Sequence, residues 1–163
     1  MDTPDKHRLT MTVLMTPDMA NFAGNVHGGS ILKLLDQVAY ACASRYAARY
    51  CVTVSLDYVM FREPVHVGEL VTFLASVNHT GSSSMEVGIK VMAEQIRTQT
   101  SRHVVSCFFT MVALDDERRP APVPPFVPRT PDEHRRHADA ALRKQLRREA
   151  AERFEALKTP AAG

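Results

Sequence analysis

Two residues in this chain stand where a polar side chain is expensive or purposeful: Asp36, and the asparagine Asn21 that precedes a glycine-rich turn. Asp36 lies inside the segment ILKLLDQVAYACASRYAA, which is otherwise apolar almost all round. Aspartate is a poor residue for a helix interior, and its bland explanation is an exposed pair with Lys33 one turn back. A carboxylate set among Leu32, Leu35, Ala39 and Tyr40 instead suits a general base or a nucleophile in a partly desolvated pocket. Upstream runs Asn21-Phe22-Ala23-Gly24-Asn25-Val26-His27-Gly28-Gly29-Ser30. Glycines ahead of a helix let a ligand approach the backbone. The first-turn N–H groups have no partner of their own and suit a phosphate or a developing oxyanion. The alternative is a tight turn that needs glycine for sterics alone.

Other polar residues carry weaker signals. His27 reads as a turn-stabilising imidazole more readily than as a catalytic base, since no second His or Cys stands in triad-like placement. Asp57, in the middle of a strand pattern, reads as part of a core network, and Cys42 as filler in an apolar helix. Ser82, Ser83 and Ser84 after Gly81 form a turn whose hydroxyls are able to meet phosphate, with Arg62 and Lys90 as nearby basic candidates.

The elements that must position these groups follow from periodicity. Ser30–Ala48 predicts a helix buried on most sides. Residues 7–15, 52–61, 69–80, 85–95 and 103–114 alternate and are rich in β-branched and aromatic side chains, which predicts five strands. Turn signals separate the last four of them, so consecutive strands are expected to be antiparallel neighbours. One helix wrapped by one curved antiparallel sheet is an α+β arrangement. Six of the ten prolines fall between Pro120 and Pro131, a run that favours an extended strap. After it Thr130 is placed to cap a polar helix reaching about Leu157. The expected division is one domain over 1–119, a proline-rich strap over 120–131 and a basic helix and tail over 132–163.

At 163 residues and 45% hydrophobic content the chain can bury a core without disulfides or metal. Three widely spaced cysteines without a C-x-x-C pair argue against a disulfide framework or a zinc site and fit a reducing cytosol. No signal-peptide-like stretch and no membrane-length apolar run occur in the sequence. The net charge of +2 divides unevenly: residues 129–158 carry +3 and the rest −1. The body therefore offers no nucleic-acid surface on charge grounds.

Taken together, Asn21-x-x-Gly24-x-x-His27-Gly28-Gly29-x-x-x-Lys33-x-x-Asp36, the TGSSSMEV segment, the strand ending CFFTMVALDD and the RPAPVPPFVPRTPDE strap resemble the hotdog-fold acyl-CoA thioesterases of the cytosolic acyl-CoA hydrolase type. The resemblance covers roughly residues 8–140. It implies a long central helix in a curved sheet of five or six strands, and hydrolysis of fatty acyl-CoA to free acid and CoA with no metal or cofactor. It assigns the catalytic pair to Asn21 and Asp36, with Asn25 a neighbouring claimant. Beside the resemblance, the glycine turn at the helix entrance puts the thioester oxygen at the His27, Gly28 and Gly29 N–H groups, and CoA is expected near Arg62, Gly81, Ser82, Ser83, Ser84 and Lys90. The resemblance agrees with a cytoplasmic homodimer with shared active sites and favours a trimer of dimers, while charge and hydropathy predict no nucleic-acid partner and no membrane span. Geometry adds an independent point. Asp36 stands eight residues beyond Gly28, about 12 Å along a helix at 1.5 Å per residue, too far for both to act on one carbon within a subunit. Two other readings remain open: a hotdog dehydratase or hydratase using His27 with Asp36, and a non-catalytic acyl-CoA-sensing module.

Overall fold

The computed structural model describes residues 5–158. It divides into two units, residues up to Phe126 and residues from Val127 on, each described by itself. The first unit contains β1 (Arg8–Leu14), a 3-10 turn over Pro17–Met19, α1 (Gly28–Ala47), β2 (Tyr50–Phe61), β3 (Leu70–Thr80), β4 (Ser84–Gln95) and β5 (Thr100–Leu114). All five expected strands are present, none displaced by more than three residues at either end. They form one antiparallel sheet in the order β1-β3-β4-β5-β2.

That order corrects one expectation. β2 and β3 follow each other in the chain but are not neighbours: β2 pairs with β5, and β3 with β1 and β4. The connection over 62–69 is long enough to pass the ends of β5 and β4. Three strand spacings amount to about 14 Å, and eight residues reach up to about 28 Å. β1 and β2 are left as the two edges.

α1 lies against all five strands. Its covered stripe is Ile31, Leu35, Val38, Ala39, Cys42, Ala43 and Ala47, at the spacing of one helix face. They meet Phe73, Phe109, Val87, Met111 and their neighbours in one core. Burial on most sides is not what the single chain has. Asp36, Gln37 and Tyr40 are exposed, and Leu32 and Leu34 are only partly covered. An apolar helix left half open in one chain is the first sign that something else covers it. Burial pushes the thiols of Cys42 and Cys107 up to about 12, so both stay protonated and inert near neutrality.

A buried ion pair fastens the 62–69 crossover. Glu69, 1% exposed, accepts two hydrogen bonds from the Arg102 guanidinium at 2.6 and 3.0 Å and one from the His66 N–H at 2.8 Å. Arg102 also donates to the Pro64 carbonyl at 2.6 Å and meets Glu63 at 2.9 Å. Residues 120–126 of the strap run along the other end of the sheet. Ala121 N–H donates to the Ala113 carbonyl, Val123 N–H to the Ser82 carbonyl and Phe126 N–H to Thr80 Oγ1. Proline, which lacks an N–H, occupies the positions between those donors.

The second unit is α2 (Pro131–Lys158). Thr130 caps it reciprocally: its Oγ1 accepts from the Glu133 N–H, and Glu133 Oε2 accepts from the N–H groups of Thr130 and Arg129. This is a capping box, with proline at the first helical position. No helix among the described residues is long and apolar enough to cross a membrane.

Candidate active site

Asn21 opens a turn held by four hydrogen bonds. Its N–H donates to the Asn25 carbonyl at 2.6 Å and its carbonyl accepts from Gly24 N–H at 3.1 Å. Its side-chain Oδ1 accepts from Ala23 N–H at 2.9 Å and Asn25 N–H at 3.1 Å. Gly24, at φ +83°, takes the left-handed conformation that closes the turn. With Oδ1 spent on the backbone, the group Asn21 has left to offer a ligand is its Nδ2 donor. Asn25 is engaged differently, its Oδ1 on the His66 ring at 2.9 Å.

The helix entrance is narrower as a donor site than the sequence suggests. His27 N–H already donates to the Met19 carbonyl at 2.7 Å. Gly29 N–H donates to His27 Nδ1 at 2.9 Å, a side-chain N-cap in place of the usual serine or aspartate. Of the three N–H groups assigned to an oxyanion, only that of Gly28 has no partner among the described residues. His27 therefore acts as the helix cap, its Nδ1 accepting from Gly29 N–H, as the turn-stabilising reading expected.

Gly28 and Asn21 line a common cavity of about 280 Å³ with Ile31, Phe61, Arg62 and Pro64. Asp36 is not in it. It belongs to a second recess, of about 340 Å³, with Gln37, Tyr40, Tyr50, Val52 and Thr53. There its Oδ1 accepts from Thr53 Oγ1 at 2.7 Å, rather than pairing with Lys33. Asp36 is exposed in the single chain, so the desolvated setting expected for it is not supplied by its own residues.

The two recesses lie at opposite ends of one surface. α1 runs from Gly28 past Asp36, and β2 returns from Tyr50 past Thr53 to Phe61, whose ring lies 3.8 Å from where a Gly28 Cβ would stand. The proposed CoA residues are divided in the same way. Arg62 is at the Asn21 end. The Gly81–Ser84 turn is at the other, since Ser84 pairs with Val112 and Tyr50 with Leu114. Lys90 is six residues along β4 from Ser84, about 20 Å away, so these groups do not form one site within a subunit.

Thr53 was not a candidate from sequence. Its place in an alternating strand carries no signal of its own, and it is tied to Asp36 only by the packing of β2 beside α1.

A long helix cradled by a five-stranded curved antiparallel sheet, with a glycine turn at the helix entrance and a carboxylate on its open flank, is the hotdog architecture. Residues 23–100 match the thioesterase superfamily model, and the chain belongs to that family, among the hotdog-fold acyl-CoA hydrolases. Protein VdlD of Helicobacter pylori is 48% identical over 90% of this chain and 84% of its own length. A solved hexameric acyl-CoA thioesterase superposes with a TM-score of 0.87 at 34% identity, covering 90% of this chain and 94% of that one. The acyl-CoA hydrolase of Staphylococcus aureus, solved with butyryl coenzyme A and coenzyme A, superposes at 0.82 with 27% identity, covering 94% and 96%. Alanine variants of that enzyme were solved at an asparagine, an aspartate and a threonine. Their separations of fifteen and seventeen residues equal those from Asn21 to Asp36 and from Asp36 to Thr53.

Proposed function

We propose that this chain hydrolyses fatty acyl-CoA to the free acid and CoA in sites completed by two copies. The carrying observation is the separation of Asn21 and Gly28 from Asp36 and Thr53 into two recesses at opposite ends of α1 and β2. β2 is an edge strand with Tyr50, Val54, Tyr58, Met60 and Phe61 half or more exposed. A two-fold axis through its middle sets the Phe61 end of one copy against the Tyr50 end of the other, and does so twice. Each composite site then contains Asn21, Gly28 and Arg62 from one copy and Asp36, Thr53 and the Gly81–Ser84 turn from the other. The hexameric relative supports assembly beyond one chain, and three such dimers make a hexamer.

In that site the thioester oxygen is held by Gly28 N–H and Asn21 Nδ2, both donors aimed where negative charge grows. Asp36 takes a proton from water, which adds to the carbonyl carbon. Collapse of the tetrahedral intermediate breaks the C–S bond and expels the CoA thiolate, which is then protonated. Direct attack by the Asp36 carboxylate through an anhydride reaches the same products. Thr53 holds one carboxylate oxygen so that the other faces the reacting centre. Arg62 and the serine turn bracket the CoA moiety. No cofactor takes part in this scheme.

The shared site is tested by mixing. Asn21→Ala and Asp36→Asn chains, each inactive, produce in a heterodimer one doubly damaged site and one intact site. Random pairing makes about half of all dimers mixed, so about a quarter of wild-type activity is expected if sites act independently. Tag-selected heterodimers as inactive as either parent would overturn the shared-site reading. Thr53→Val keeps the shape and removes the hydroxyl. Its kcat is expected to fall about tenfold with little change in KM, as for an interaction felt mainly in the transition state. A full-rate Thr53→Val enzyme would remove Thr53 from the scheme.

A further inference from the structure

The Asn21 turn carries a residue that the chemistry above does not use. Phe22 is fully exposed, the most exposed large apolar side chain in the described residues. Its position is not slack. The four hydrogen bonds around Asn21 fix the turn on both sides of it, so a rigid support presents a benzyl group to the outside. An aromatic ring held there leaves all of its apolar surface in water unless something outside its own chain covers it.

The recess around Asp36 offers the complementary shape. Tyr40 and Tyr50 line it with ring centroids 5.9 Å apart and planes tilted by 59°. Both rings are about half exposed. Two tilted rings leave an aromatic wall open to a third, which gains edge-to-face contact on entering. A ring seated in a cavity of about 340 Å³ takes up part of it and leaves the remainder for an aliphatic chain.

Phe22 cannot fill the recess of its own chain. It belongs to the Gly28 end of α1, and Tyr40 stands twelve residues further along that helix, about 18 Å away. The same two-fold arrangement that carries Asn21 to the partner's Asp36 carries the adjacent Phe22 to the partner's aromatic wall. We propose that Phe22 of one copy seats against Tyr40 and Tyr50 of the second and sets how long an acyl chain the composite site accepts. The inference rests on the shared-site reading, and its test separates the two. Phe22 is thereby a specificity residue, distinct from the groups that act on the thioester.

The experiment is a panel of acyl-CoA substrates from acetyl to palmitoyl, with thiol release followed for the wild type, Phe22→Ala, Phe22→Trp, Tyr40→Ala and the double variant Phe22→Ala with Tyr40→Ala. Oligomer mass and circular dichroism are recorded on each sample. Phe22→Ala is expected to raise the ratio of kcat/KM for long over short chains about tenfold, the scale on which a pocket senses added methylenes. Phe22→Trp is expected to move the ratio the other way. Tyr40→Ala should move it in the direction of Phe22→Ala, with the double variant shifting less than the two effects combined because both remove one contact. An unchanged profile, or an equal fall for every chain length, in a folded Phe22→Ala oligomer overturns the proposal. If such a result comes with successful complementation of Asn21→Ala by Asp36→Asn, the shared site survives and only the role of Phe22 falls. If complementation fails as well, the dimer reading fails with it.

Discussion

Asp36→Asn is expected to fold as the wild type does and to lose turnover by about 10²–10⁴-fold, the range for removal of a positioned acid–base group. The amide keeps the shape and can still meet Thr53 Oγ1, so the recess is preserved while the proton acceptor is lost. Stopped thiol-release assays under saturating acyl-CoA measure kcat directly, and a melting curve on the same sample checks the fold. Wild-type turnover in a folded Asp36→Asn protein would remove Asp36 from the mechanism, whichever subunit it serves.

The second large effect concerns stability. Arg102→Met is expected to cost roughly 3 kcal/mol, the lower end of what breaking a buried ion pair costs when one charge is left behind. The low end applies because Arg102 keeps 27% of its side-chain surface exposed while Glu69 keeps 2%. Pairing Arg102→Met with Glu69→Gln should recover much of the loss, since the stranded charge is then gone. The pair also makes stability depend on pH. Burial alone would raise the Glu69 carboxyl, but the Arg102 hydrogen bonds, the His66 N–H and the nearby positive charge outweigh it and hold it below the ordinary value of 4.5. A carboxyl lowered in the folded state contributes its stability above the unfolded value and loses it as pH falls through the folded one. Denaturant melts of the wild type should therefore weaken below about pH 4.5 more steeply than those of the double variant. Equal slopes, or an Arg102→Met protein as stable as wild type, would mean that the crossover is fastened elsewhere.

The sequence reveals much of the scaffold and only part of the site. The alternation in five segments is a local signal, and all five strands form where it lies. Thr130 caps α2 as its place just ahead of Pro131 predicts, and the structure adds Glu133 as the reciprocal partner three residues on. What fails to show is non-local. No periodicity reveals that β2 turns away from β3 to pair with β5, because that depends on a crossover whose anchor, Glu69 with Arg102, joins residues 33 apart. Thr53 meets Asp36 only after β2 folds back beside α1. The His27 N-cap withdraws Gly29 from the donors, because an imidazole does there what serine or aspartate usually does. The apolar circumference of α1 predicts burial that one chain does not provide, and the excess points to contacts outside that chain.

The strand order also bears on how the chain folds. β3, β4 and β5 are joined by tight turns and pair with near neighbours in sequence. β1 reaches β3 across dozens of residues, Arg8 to Ser76, and β2 reaches β5 from Tyr50 to Leu114. Loop-closure entropy makes the central meander the natural nucleus and the two outer strands late arrivals. The last piece to attach is then the strand that carries Thr53 and borders Asp36. Amides of β2 should exchange with solvent through openings that leave β3–β5 intact, and such openings should slow as protein concentration rises and chains associate. Catalytic competence would thus be acquired at the final step of assembly, after the core of each chain is already formed.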